Sequence, residues 1–151
     1  MTWEAKQQGT DDAHAARGAA CLARARTLAP AIAAAAHGVI GATAPSIVTD
    51  HLNKLGEAAL AMLRLSLEAL MEMDADAARK VLADDDEVDE LFHHMLYMLL
   101  GELRKNPEEA EKYYTWLRAA KSLERVADLT TNLAEDVIYS VEGEIVRHGL
   151  G

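Results

Sequence analysis

The chain has 151 residues, enough for one domain with a real core, and carries 25 acidic against 15 basic side chains for a net charge of −10. That surplus repels phosphate backbones and so excludes unaided nucleic-acid binding; it suits a cationic ligand, a metal ion or a basic protein surface. Half of the residues are apolar yet only 5% are aromatic, so Ala, Leu and Met must supply the packing, as they do between close-packed helices.

The start, Met1-Thr2-Trp3-Glu4, has neither the basic region nor the apolar run of a secretory signal. Residues 1–10 are polar. Asp11 to His37 is Ala-rich and reads as a helix with Arg17, Arg24 and Arg26 on its outer face; Gly18 and Pro30 weaken it, and Pro30 should kink or split it. The lone Cys21 excludes an intrachain disulfide and a cysteine zinc cage and fits a reducing compartment. The most apolar stretch, 28–41, is too short and too Ala-rich to span a bilayer, so a cytoplasmic protein is expected. Two glycines and a proline make 38–45 a break. Residues 1–45 therefore stand apart from a main unit at 46–151.

Ser46 opens a helix that runs to about Met73, with a stripe of Ile47, Leu52, Leu55, Leu63, Leu67 and Leu70 and with Gly56 allowing a close approach of another helix. Asp74 caps the next helix, which ends at about Lys105 and carries Val81, Leu82, Val88, Phe92, Leu96, Leu99 and Leu103 in the helical period. Asn106 then caps a third, Pro107 suits its first position and Glu109 is placed for a capping box. No Pro or Gly follows until Gly143, read as the stop of a helix of about 36 residues. Its seam is Trp116, Ala120, Leu123, Ala127, Thr130, Ala134, Val137 and Val141. Met62, Met71, Met73, Met95 and Met98 are spaced as core fillers, and Tyr113, Tyr114 and Trp116 are read as packing residues. With short links and no strand signal, the fold class is all-α: an antiparallel three-helix bundle over 46–142, preceded by an additional Ala-rich helix.

Acidic residues occupy odd places in this bundle. Asp85 and Asp89, four apart, share a face that is in register with Phe92, Leu96, Leu99 and Leu103. Glu124 and Asp128 lie on the edge of the seam of the last helix. The first pair stands 20 and 16 residues before Lys105 and the second 19 and 23 after it. A tight hairpin brings the two pairs level to within about three residues, or roughly 4.5 Å along the axis. Like charges so placed raise one another's proton affinity unless a cation neutralises them. An all-oxygen set suits Mg²⁺, Mn²⁺ or iron. Asn132 and Glu135 continue the stripe as further candidates. Acidic pairs of this spacing also decorate solvated helix faces, and Arg125 with Arg79 or Lys80 could balance the charge without metal, so spacing alone leaves both readings open.

Asp85-Asp86-Glu87-Val88-Asp89, followed about 35 residues later by Ser122-Leu123-Glu124-Arg125-Val126-Ala127-Asp128 and then Asn132-Leu133-Ala134-Glu135, resembles the PhoU family of phosphate-uptake regulators. The ending Gly143-Glu144-Ile145-Val146-Arg147-His148 is similar to that family's as well. The signature, an acidic residue followed four later by Asp on each of two helices, maps onto Asp85 and Asp89 and onto Glu124 and Asp128. The resemblance implies three-helix repeats that bind metal, usually iron and in some members zinc, manganese or magnesium. It also implies a cytoplasmic negative regulator of phosphate uptake and of the phosphate-starvation response, with no enzyme activity. Its implied partners are the sensor histidine kinase and the ATPase of the phosphate ABC transporter, so membrane contact is indirect.

Relatives of this kind carry two repeats, whereas 46–151 matches the second alone, and 11–37 holds no acidic residue followed four later by Asp or Glu. A lone repeat leaves apolar surface that its relatives cover, so a homodimer is expected. Two other readings differ in class. Glu90-Leu91-Phe92-His93 matches the Glu-x-x-His element of ferritin-like di-iron proteins, but that fold wants two such elements. A metal-free helical interaction module is the other. His93 and His94 point in different directions and are read as surface or boundary residues. Neither a nucleophile–base arrangement nor a phosphate-cradling Gly-rich loop is present in the sequence.

Overall fold

The computed structural model describes residues 45–149, with side chains through Gly143, and before them only Ala19 and Ala23, both helical and exposed. The Ala-rich helix expected over 11–37 otherwise lies outside the described residues. Three helices make up the rest: α1, Ser46–Glu72; α2, Ala75–Lys105; and α3, Ala110–Gly149, entered through the 3₁₀ turn Pro107–Glu109. Each packs on the other two, and no strand occurs among the described residues. This is the antiparallel three-helix bundle that the periodicity predicts.

The links explain the hairpins. At the end of α1, Met73 takes a left-handed conformation (φ 51°), and the next amide, Asp74 N–H, reaches back 2.9 Å to the Ala69 carbonyl. Asp74 then caps α2 as expected: its Oδ1 accepts from the Asp76 and Ala77 amides at 2.9 and 3.0 Å. Asn106 departs from expectation. Its side chain caps nothing in the following turn; the amide group turns back to the Glu102 carbonyl at 3.5 Å, and the Glu109 carboxylate binds Lys112 at 2.6 Å instead of closing a capping box. With a single residue between α2 and the 3₁₀ turn, the Asn106 backbone already serves both, donating to Glu102 and accepting from Glu109.

The stop expected at Gly143 is not one. α3 continues through it to Gly149, and no described glycine adopts a positive φ. A glycine inside a helix costs about 1 kcal/mol relative to alanine, too little to end a helix whose neighbours all favour it.

Leu55, Met62, Val81, Val88, Met95, Leu133 and Val137 are fully buried, and the predicted seam of α3 is inside along its length, with Leu123 and Val141 half-buried. The stripe on α1 needs correction. Ile47 and Leu67 are exposed, and the buried positions are Val48, Leu52, Leu55, Ala59, Met62, Leu63, Ser66 and Ala69. Small residues on this helix face the bundle where large ones do not. Met71 and Met73 are likewise exposed rather than core fillers, because they end α1 at the turn. Buried hydroxyls are satisfied within their own helices: Ser66 donates to the Leu63 carbonyl and Thr130 to that of Val126, both at 2.8 Å. Gly56 faces Leu123, but a methyl group there would lie 3.8 Å from the nearest leucine carbon, an ordinary contact, so no close approach demands it.

Candidate metal centre between α2 and α3

The register of the α2–α3 hairpin follows from one contact. Lys121 places its ammonium 5.1 Å from the centroid of the Phe92 ring. Asp89 lies three residues before Phe92 and Glu124 three after Lys121, so in an antiparallel pair they are level. Asp85 and Asp128, seven residues before and after, are level in turn. The two pairs therefore stand at one level across the hairpin.

Their electrostatics agree with that placement. Burial, then the charges of Asp89, Asp128, Asp86 and Glu124, hold the Asp85 carboxyl above the usual carboxylate range. Asp128 is also pushed up, by burial and by Glu124 and Asp89, although Lys121 and Arg125 pull the other way. Asp89, Glu124 and Asp128 all act on Asp85, and Glu124 and Asp89 act on Asp128, so the influence runs both along and across the hairpin. They differ in exposure: Glu124 is buried, Asp85 and Asp89 are half-buried, and Asp128 is exposed.

Besides Arg125, expected from the sequence as a counter-charge, the cluster has a second cation, Lys121, which the sequence reading passed over. Its ammonium is 2.5 Å from Glu124 Oε2, an ion pair without an aligned hydrogen bond. The signal was present in the three-residue spacing from Lys121 to Glu124. Arg79, expected as a possible counter-charge, is engaged elsewhere: it bonds Asp76 at 2.9 Å and reaches Glu142 on α3. Asp85 Oδ1 is buried and has no hydrogen-bond partner. A carboxylate oxygen in that state is a vacant donor, and the set around it is all oxygen, which fits a hard or borderline cation.

The gathering is loose. Among the described residues no three His, Cys, Asp or Glu side chains stand close enough to hold an ion as they are, so a cation would have to draw side chains inward. Asn132 and Glu135 are not part of the cluster. The Asn132 amide donates to the Asp128 carbonyl at 3.0 Å, and Glu135 is exposed, about 10 Å beyond Asp128 along the axis at 1.5 Å per residue. Glu90 and His93, the ferritin-like element, are both exposed, and His93 Nδ1 lies 2.8 Å from the Asp89 carbonyl; neither side chain turns into the bundle. No helix among the described residues is long and apolar enough to cross a membrane.

The sequence profile of the PhoU domain matches residues 52–137, a span that holds all four carboxylates. A phosphate-specific transport system accessory protein PhoU homolog from a Burkholderia species is 36% identical over 97 residues, 64% of this chain and 41% of that protein. The homolog from Clostridium acetobutylicum is 32% identical over 99 residues, 66% of this chain and 45% of the relative. The phosphate-specific transport system accessory protein PhoU of Escherichia coli K12 is 30% identical over 97 residues, 64% and 40% of the two chains. The chain thus spans less than half the length of the relatives it matches. With more than half of its residues inside the domain match, and a helical bundle to carry them, this chain belongs to the PhoU family.

Proposed function

We propose that the protein is a non-enzymatic regulator of phosphate uptake that restrains the phosphate-starvation response and works by contact with other proteins. Its relatives are named as accessory proteins of the phosphate-specific transport system, which supports a place in that system. The partners proposed are the sensor histidine kinase and the ATPase of the transporter, met at the cytoplasmic side of the membrane, with the chain acting as a homodimer.

Asp85, Asp89, Glu124 and Asp128 would hold a metal ion, iron first and zinc, manganese or magnesium as alternatives. The observation that carries this is the level convergence of four carboxylates with one buried oxygen unpaired and one lysine among them. The ion would supply charge neutralisation: it removes the repulsion between α2 and α3 and so stiffens the face they share. Asn132 and Glu135, further along the same stripe, would enter only as outer ligands reached after movement of their side chains.

Elemental analysis of protein purified without chelator, together with Asp85→Ala and Glu124→Ala, tests the metal. The parent should carry metal and both variants should lose most of it; equal metal in all three overturns the assignment. Regulation is tested in cells that lack their own PhoU protein. Expression of this chain should restore repression of a phosphate-starvation promoter at high phosphate, and a promoter that stays fully on would refute the regulatory reading.

A further inference from the structure

A second pair of potential ligands lies on a different side of the bundle. His51, in the second turn of α1, and His94, in the second half of α2, stack with ring centroids 5.0 Å apart and planes within 3° of parallel. His94 is exposed and His51 half-buried. Residue 94 is five past Asp89, which at 100° per residue puts it about 140° round α2, away from the carboxylates and towards α1. The two clusters are separate.

The tautomer of His51 follows from its partner. Its Nδ1 lies 2.7 Å from the Ile47 carbonyl, and a carbonyl only accepts, so Nδ1 carries the proton. In the neutral ring the lone pair is then on Nε2. A histidine whose one nitrogen is tied to a backbone carbonyl, with the other left bare, is the usual arrangement that orients an imidazole towards a metal. We propose that His51 and His94 form a two-imidazole site for a borderline divalent transition ion such as Ni²⁺, Zn²⁺ or Cu²⁺, clamping the start of α1 to α2.

Imidazole nitrogen selects these ions over Mg²⁺ and Mn²⁺, which stay with oxygen. Metal–nitrogen bonds of about 2.0–2.1 Å need the two donor atoms closer than the stacked centroids, and rotation of the exposed His94 ring supplies the difference. Among the described residues no third His, Cys, Asp or Glu is gathered with the pair. Water therefore completes the coordination, and affinity is moderate. Binding would join two helices through their side chains, so it stabilises the folded chain by mass action.

The test uses Ni²⁺ and the full chain, read by denaturant unfolding in the presence and absence of the ion. At Ni²⁺ ten times the dissociation constant, the unfolding equilibrium constant should fall about elevenfold. His51→Ala and His94→Ala should each abolish most of that change, and the double variant should lose no more than either single one, because both rings serve one ion. Losses that add, or a single variant that keeps the full response, would overturn the site. Electron paramagnetic resonance of one equivalent of Cu²⁺ gives a second readout independent of stability. Coupling to two nitrogens is expected in the parent and to one in His94→Ala; the same nitrogen count in both refutes the pairing.

Discussion

Replacing Asp85 by Asn should make the metal-free protein more stable and its metal complex weaker. Asp85 feels Asp89, Asp128, Asp86 and Glu124, and its buried Oδ1 has no donor to offset the charge. Residues four apart on a helix hold their Cβ atoms about 5–6 Å apart, and two like charges 6 Å apart repel by about 0.7 kcal/mol even at the dielectric constant of water. Asp128 and Glu124 add to this from the facing helix, while solvent screening at the half-exposed side takes some away. A net gain of about 1 kcal/mol is the expected size, or about 4 °C in melting temperature for a domain of this length. The assay is thermal unfolding of parent and variant side by side, first with chelator and then with saturating Mn²⁺ or Fe²⁺. The order of the two midpoints should reverse on adding metal, because the variant has lost one anionic ligand. A variant that melts below the parent in chelator would show that Asp85 is held favourably, and the idea of a mutually repelling quartet would fall.

Three further outcomes can be checked on the same instruments. Asp74→Ala removes the acceptor for two amides at the start of α2 and should cost about 1 kcal/mol in denaturant unfolding; no loss would mean that the cap is satisfied by water. Gly56→Ala should stabilise by up to about 1 kcal/mol, since a methyl group there meets Leu123 at an ordinary distance; a destabilised variant would show that the Leu123 side chain lies closer to that methyl group than 3.8 Å. The pH dependence has a definite sign. Asp85 and Asp128 have folded-state pKa values above the reference of 3.8, so the folded chain keeps protons that the unfolded chain has released, and stability falls as pH rises through that window. The stability advantage of Asp85→Asn/Asp128→Asn over the metal-free parent should therefore shrink on acidification and vanish below pH 3.8; an advantage that grows towards acid pH would reverse the assignment.

The bundle was legible in the sequence because its large side chains repeat at three-and-four spacing over long stretches without Pro or Gly, and because Asp74 marks one link by a standard cap. The hairpin register was legible for a related reason. Only one residue separates α2 from the turn that leads into α3, so counting outward from Lys105 puts Asp85 and Asp89 level with Asp128 and Glu124. The failures share a cause. Ile47, Leu67, Met71 and Met73 are apolar but face outward, while Ser66 and Thr130 are polar but face inward, bonded to carbonyls of their own helix. Residue type tells only what burial would gain; which side of the helix is buried depends on where two other helices stand. Gly143 misled in the same way, because a glycine is a stop only where the chain needs a left-handed residue. The His51–His94 stack was missed since it is defined by a neighbour on another helix, whereas Lys121 was visible in its spacing to Glu124 and only its place against Phe92 depends on the fold.

Why the four carboxylates stay together is a question of magnitudes. Just beside them, Val81, Val88 and Phe92 on α2 and Ala120, Ala127 and Val126 on α3 are buried. Burying one Val or Phe side chain is worth about 1.5–3 kcal/mol, several times the repulsion of about 0.7 kcal/mol that two charges feel at 6 Å in water. The helices cannot part to relieve the charge without exposing those residues, and Lys121 and Arg125 offset only part of it: Lys121 pairs with Glu124, and Asp128 stays above the usual carboxylate range despite both cations. What remains is to take up a proton or a cation at the surface that α2 and α3 share. A site held closed by its apolar flanks and kept unfavourable by its own charge would respond to ions without any change of fold, as the contact-based regulation proposed above requires.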